Sequence, residues 1–184
     1  MLIIIEGTDN VGKTTQANLI KERMKDHGVF HVVHYSSLPF KDKENHIEYS
    51  HSLYEDMFDM MDVLNKYGHN VIFDRSHLGE SVYAPLYRGY SGDFIFNIEK
   101  ESVHKLSDSV YLITLVNDPK LVMSRDDGFS FYTNEQEVQN EVDGFVRAHR
   151  KSIIKNKLLI NVGDMGPTEG SDHIFEFLTD KTNF

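Results

Sequence analysis

The chain has 184 residues, 40% of them apolar, which suits one domain with a sizeable buried core. Asp and Glu number 29 against 19 Lys and Arg, a formal charge of −10, so nucleic acid is disfavoured as main partner while a small phosphorylated ligand is not. Cysteine is absent, which excludes disulfides and thiolate metal sites and points to a reducing cytoplasm; "MLIII" meets Glu6 too soon for a leader, and no apolar run approaches membrane-spanning length.

Five short runs are apolar nearly throughout: "LIII" (2–5), "VFHVVHY" (29–35), "VIF" (71–73), "VYLITLV" (110–116) and "LLINV" (158–162). Without alternation they read as strands covered on both faces, the mark of a parallel sheet between helices. Helical spacing fills the gaps. Over 13–27, Ala17, Ile20 and Met24 form one stripe and Gly28 is the expected stop. Over 47–67, Leu53, Met57, Met60 and Leu64 recur at three or four, with Gly68 behind them. Further helices are expected near 94–106, 118–125, 134–152 and 171–179. Strands alternating with helices predict a doubly wound α/β fold, a single domain over 1–184 without a linker.

Residues 6–15 read "EGTDNVGKTT", between the first strand and the first helix. Gly7, Gly12, Lys13 and Thr14 satisfy the P-loop spacing (7–14). Two glycines let successive amides, from Asn10 and Val11 through Gly12, Lys13, Thr14 and Thr15, curl around the phosphates of ATP, and the helix start adds its positive end. Lys13 is expected on the β- and γ-phosphates, and the Thr14 hydroxyl on Mg²⁺.

A second anchor is "NVIFDRSHLGESVYA" (70–84), where Asp74 and Arg75 stand at a strand end, the edge at which doubly wound sheets bind ligands. Asp74 is a candidate Mg²⁺ partner, directly or through water, and the Arg75 fork a candidate phosphate clamp. A third is "SRDDGFSFYTNEQ" (124–136), polar and Gly-containing, which reads either as a lid or as an ordinary surface loop. Arg125 is the one Arg between Arg88 and Arg147, and a lid would deliver it to the moving phosphoryl group. The run "EQEVQNEVDGF" reads as a solvated helix face, and His77, beside Arg75, as an imidazole close to an acceptor phosphate.

These strings resemble the thymidylate kinase branch of the nucleoside-monophosphate kinases, compact virus-encoded members above all. "IIIEGTDNVGKTTQ" resembles the family's glycine-loop start, "GHNVIFDRSHLGESVYA" its Asp-Arg segment ending in a Tyr, and "VYLITLVNDPKLVMSRDDG" its fourth strand and lid entry. The resemblance implies a P-loop NTPase-type sheet of five parallel strands flanked by helices, with a lid segment over about 124–136. It implies ATP with Mg²⁺, a deoxynucleoside monophosphate acceptor, a cytoplasmic enzyme (the host's cytoplasm if virus-encoded), and a possible homodimer. Lys13, Arg75 and Arg125 are then the catalytic set. Asp9 matches an acid near the acceptor sugar, and Tyr83 an aromatic near its sugar and base. Relatives carry a catalytic Arg in the glycine loop or in the lid; Asn10 holds the loop position, so Arg125 is the implied substitute. Where relatives show Arg-Glu-Pro-Gly after the second strand, this chain reads "YSSLPFKDKEN", with Lys41 or Lys43 as stand-ins. Residues 47–67 offer no Arg to a base; Tyr49, Tyr54 or Phe58 could stack on one, and Phe58 is the candidate acceptor contact.

Three other activities share these motifs. A deoxynucleoside kinase needs a carboxylate base at the end of the second strand, where this chain reads His34-Tyr35-Ser36-Ser37. A phosphate monoester is already an anionic nucleophile and needs no base, which favours the monophosphate. A kinase acting on a modified base or 5′ end in DNA runs against the net acidity. A nucleotide-hydrolysing switch needs a positioned water, for which the segment "DRSHLGE" offers His77 and Glu80 and nothing clear.

Overall fold

The computed structural model describes residues 1–37 and 43–182. Lys41 lies outside the described residues, as does the side chain of Lys43. Five parallel strands, β1 (Leu2–Gly7), β2 (Phe30–His34), β3 (Asn70–Asp74), β4 (Val110–Val116) and β5 (Asn156–Asn161), form one sheet in the order β2-β3-β1-β4-β5. Seven helices join them: α1 (Lys13–Arg23), α2 (Lys43–Lys66), α3 (Leu78–Tyr83), α4 (Ile95–Leu106), α5 (Pro119–Ser124), α6 (Glu135–Lys151) and α7 (Pro167–Thr182). Strand order reverses at β1, so β1 and β3 end side by side at the crevice where such sheets take ligands.

The alternating pleat divides the core in two. Leu2 and Ile4 of β1 pack with Val71, Phe73, Val110 and Leu112 beneath α2, α3, α4 and α6. Ile3 and Ile5 face the other way, with Ile72, Ile113 and Leu115, against Ala17 and Ile20 of α1, Met24 just after it, and Ile174 and Leu178 of α7. Such burial is worth roughly 1.5–3 kcal/mol per large apolar side chain, and it makes β1 a rigid base for the loop that follows it. The edge strands β2 and β5 are only partly buried. Among the described residues no helix is long and apolar enough to cross a membrane.

Two helices differ from the expected pattern. In α2 the deepest stripe is Tyr54, Met57, Phe58 and Met61, while Leu53, Met60 and Leu64 flank it. In α6, Val138, Glu141, Phe145 and Ala148 are buried, so the run read as a solvated face carries a core stripe with a carboxylate in it. Asn134 caps that helix, its Oδ1 accepting from the Glu137 amide at 3.0 Å. The sequence reading passed over α3 and the wide π-type turn after it (Ala84–Arg88).

Candidate active site

The glycine loop leaves β1 at Gly7, whose φ is 142° and whose missing side chain gives room to the Leu115 carbonyl. Gly12, at φ 90°, opens α1 without any side-chain cap, so the first amides of α1 stay free for an anion. Between them Asn10 takes φ 60°, a conformation Asn tolerates better than most residues. Its side chain points at the segment read as a lid: Nδ2 donates to Tyr132 Oη at 2.9 Å, Ser130 Oγ at 3.0 Å and Asp126 Oδ1 at 3.3 Å. This clasp between loop and lid was not expected from the sequence.

Lys13 is buried and folded back over the loop, Nζ donating to Thr8 O at 2.6 Å and Gly7 O at 3.0 Å, with Asp9 Oδ1 at 3.6 Å. Burial first, and Arg75 second, push its pKa down to about 8, against the pull of Asp9, Glu6 and Asp74. The Thr14 hydroxyl donates to Asp74 Oδ2 at 2.6 Å, and Asp74 Oδ1 is buried without a partner. A hydroxyl beside a carboxylate with an unused buried oxygen is a donor set suited to Mg²⁺.

Arg75 sits where β3 breaks off, in the left-handed region at φ 74°, with its amide held by the Ile5 carbonyl at 3.0 Å. Backbone strain of this kind costs about 1–3 kcal/mol and is concentrated at functional sites. It aims the guanidinium at Asp9, Nη2 to Oδ1 2.9 Å.

Two cavities share the glycine loop as a wall. One is lined by Gly7, Asp9, Arg75 and Tyr83 together with Glu6, His34, Ser36, Ser37, Tyr54, Glu80, Arg88 and the lid residues Phe129 and Phe131. The other takes Asn10, Val11, Gly12, Thr15 and Gln16, the lid's Arg125, and the segment Val162 to Gly170 after β5. Of the predicted site residues, Asp9, Arg75 and Tyr83 thus line one cavity and Asn10, Val11, Gly12, Thr15 and Arg125 the other, while Lys13, Thr14, Asp74 and Phe58 line neither. Phe129 is 90% exposed at the mouth of the first cavity, an unusual place for an apolar ring.

Two expectations are corrected. Phe58 is 1% exposed and packs edge-on to His77 in the core, so it offers no face to a base; of the three aromatics of α2, Tyr54 is the one that lines the cavity. His77 is fully buried as well, bonded to Ser76 Oγ at 2.9 Å and to Glu99 Oε2 at 2.7 Å. It ties α3 to α4 rather than facing a ligand. Missed altogether were the buried acids Glu6 and Glu141; Glu80, buried as well, was weighed only for positioning a water. Burial pushes Glu6 above the ordinary carboxylate range, with His77, the Gly79 amide, Lys13 and Arg75 opposing.

Glu141 gives a pH prediction. It is fully buried, accepts from Tyr87 Oη at 2.6 Å, and burial, with Asp9, raises its pKa from 4.5 to about 7. A raised folded-state value means stability is complete below about 4.5 and is lost as pH rises through about 7. Between pH 5 and 8 the native protein should lose about 2–3 kcal/mol that Glu141→Gln does not lose. Urea unfolding at the two pH values measures this; equal losses in both proteins would place the charge elsewhere.

No protein-family profile matches the chain, and no curated protein does. Solved structures do. The YorR protein from Bacillus subtilis in complex with phosphorylated GDP aligns with TM-score 0.73 at 19% identity, over 100% of this chain and 99% of that one. Thymidylate kinase from Candida albicans aligns at 0.70 and 17%, over 99% and 92%. Deoxyadenosine kinase from M. mycoides with bound dCTP aligns at 0.57 and 15%, over 98% and 100%. The chain therefore has the fold of the P-loop nucleotide and nucleoside kinases, over its whole length.

Proposed function

We propose that the protein transfers the γ-phosphoryl group of ATP to a deoxynucleoside monophosphate. The observation that carries this reading is the pair of cavities with the glycine loop between them, each furnished with its own arginine. Arg125 and the amides from Asn10 to Thr15 serve the donor side, Arg75 and Asp9 the acceptor side. Two anions held on either side of one loop are set for in-line transfer, which gains mainly from positioning and from charge stabilisation.

Lys13 leaves the carbonyls of Gly7 and Thr8 for the β- and γ-phosphates, and Arg75 turns from Asp9 to the acceptor phosphate. Asp9, released, faces the sugar, where the buried Tyr83 hydroxyl also lacks a partner. Arg125 reaches the transferring group from the lid, and Phe129 and Phe131 exclude water above the acceptor. Thr14 and Asp74 would hold Mg²⁺, which supplies charge neutralisation at the phosphates when bound.

A second reading, transfer to a sugar hydroxyl, draws on Glu6, a buried carboxylate in the acceptor cavity able to act as general base. One screen separates the two: ADP release with every deoxynucleoside monophosphate, every deoxynucleoside and short oligonucleotides. Turnover with a monophosphate is the expected result. Turnover with nucleosides alone would move the role of base to Glu6, and hydrolysis indifferent to all acceptors would end both readings.

A further inference from the structure

Arg125 carries the donor-side charge in the mechanism above, yet its own side chain is tied to nothing. It is exposed and, among the described residues, without an ion pair, so its place at the donor cavity is set by its backbone. On one side α5 fixes that backbone: the Arg125 amide donates to the Val122 carbonyl at 3.1 Å and the Asp126 amide to that of Met123 at 3.2 Å. Farther on, the bonds are local. The Gly128 amide meets Asp126 Oδ1 at 3.2 Å, and the Phe129 amide meets Asp127 Oδ1 at 3.1 Å. At the far end Phe131 stacks on Tyr87 and the Tyr132 ring is buried. Among the described residues, every hydrogen bond that joins 125–132 to a distant part of the chain comes from Asn10 Nδ2.

Two properties suit Asn to this position. At φ 60° it stands in the left-handed region, which Gly, Asn and Asp tolerate and other residues resist. Gly would bring no side chain there, and Asp would bring no donor and would set one carboxylate against that of Asp126. The Asn amide carries two N–H donors and no charge, and it meets three acceptors spread over the opposite segment. One of the three is Asp126, the residue directly after Arg125. Asn10 and Arg125 also line the same cavity, so the bond fixes the guanidinium's base beside the loop that would cradle the donor phosphates. A cation on a fixed backbone has less freedom to lose when charge develops next to it, and that saving belongs to the transition state.

We propose that Asn10 is a positioning residue: by holding Asp126, Ser130 and Tyr132 it sets Arg125 at the donor cavity, and it contributes to kcat through Arg125 and not by itself. This rests on the kinase reading. Two variants undo the clasp from opposite sides. Ser130→Ala/Tyr132→Phe leaves the glycine loop intact, and Asn10→Gly keeps a residue at ease with the left-handed backbone. In the protein without nucleotide, amide hydrogen exchange over 125–132 should quicken by about tenfold or more in both. In steady-state ADP release both should lose about tenfold in kcat, with the KM of ATP within about threefold of the native value. In an Arg125→Ala background the same substitutions should cost less than about twofold more, because nothing is left to position. Losses that multiply in that background overturn the proposal. So does native exchange, or a native kcat, in the Ser130→Ala/Tyr132→Phe protein. Absence of turnover in the native protein would remove the kinase reading beneath it, and the exchange rates alone would then decide whether Asn10 holds the segment.

Discussion

Lys13→Ala is expected to lower kcat by about 10³-fold or more while the fold survives. Taking one preorganised donor from a charged transition state costs about 10²–10³ in rate, and the loss of a full positive charge adds to it. Stability should change little, for two opposing reasons. The substitution leaves the carbonyls of Gly7 and Thr8 without their donor, a penalty of about 1–3 kcal/mol. It also removes a buried ammonium whose pKa is already pushed down to about 8, so a desolvation cost disappears with it. Arg75 keeps Asp9 paired in the variant. Steady-state ADP release and a thermal melt read the two quantities, and a kcat within about threefold of the native value would take Lys13 out of the mechanism.

Arg125→Ala should act on the same step with a different signature. The side chain is exposed and touches the donor cavity from the lid, with no ion pair that would reward it in the resting protein among the described residues. A cation recruited late to the transferring group is worth about 10³–10⁵ in the strongest cases. The expected loss is about 10²–10³-fold in kcat, with the KM of ATP changed by less than about fivefold. A large rise in that KM with kcat preserved would make Arg125 a nucleotide-binding residue instead.

Much of this was readable in the sequence because the signals were local. Five apolar runs without alternation became five strands, the three central ones buried almost throughout and the edge strands β2 and β5 only partly, and Gly7, Gly12, Lys13 and Thr14 sit where the motif requires a strand before and a helix behind. Arg75, at a strand end, and Arg125, in a polar loop, each line a cavity, a placement their positions in the sequence led one to expect. What was missed is tertiary. Glu141 occupies a run of charges that looks solvated, and only the packing of α6 on the sheet buries it. The segment "LGESVYAPLYRG" carries Gly79 and Pro85 in a stretch too short for periodicity to show, so α3 and the turn bearing Arg88 left no signature. Phe58 and Tyr54 both belong to the apolar stripe of α2; which one meets the cavity depends on a rotation that spacing alone does not determine.

The strap from Arg125 to Tyr132 borders both cavities and is fastened to their common wall through Asn10. Any molecule that shifts the strap from one side alters the room left on the other. Thermodynamic reciprocity then requires that whatever factor the first ligand imposes on the affinity of the second, the second imposes on the first. If the strap moves as a cover, the two halves of the crevice form one linked equilibrium, and the order in which they fill becomes a matter of concentration.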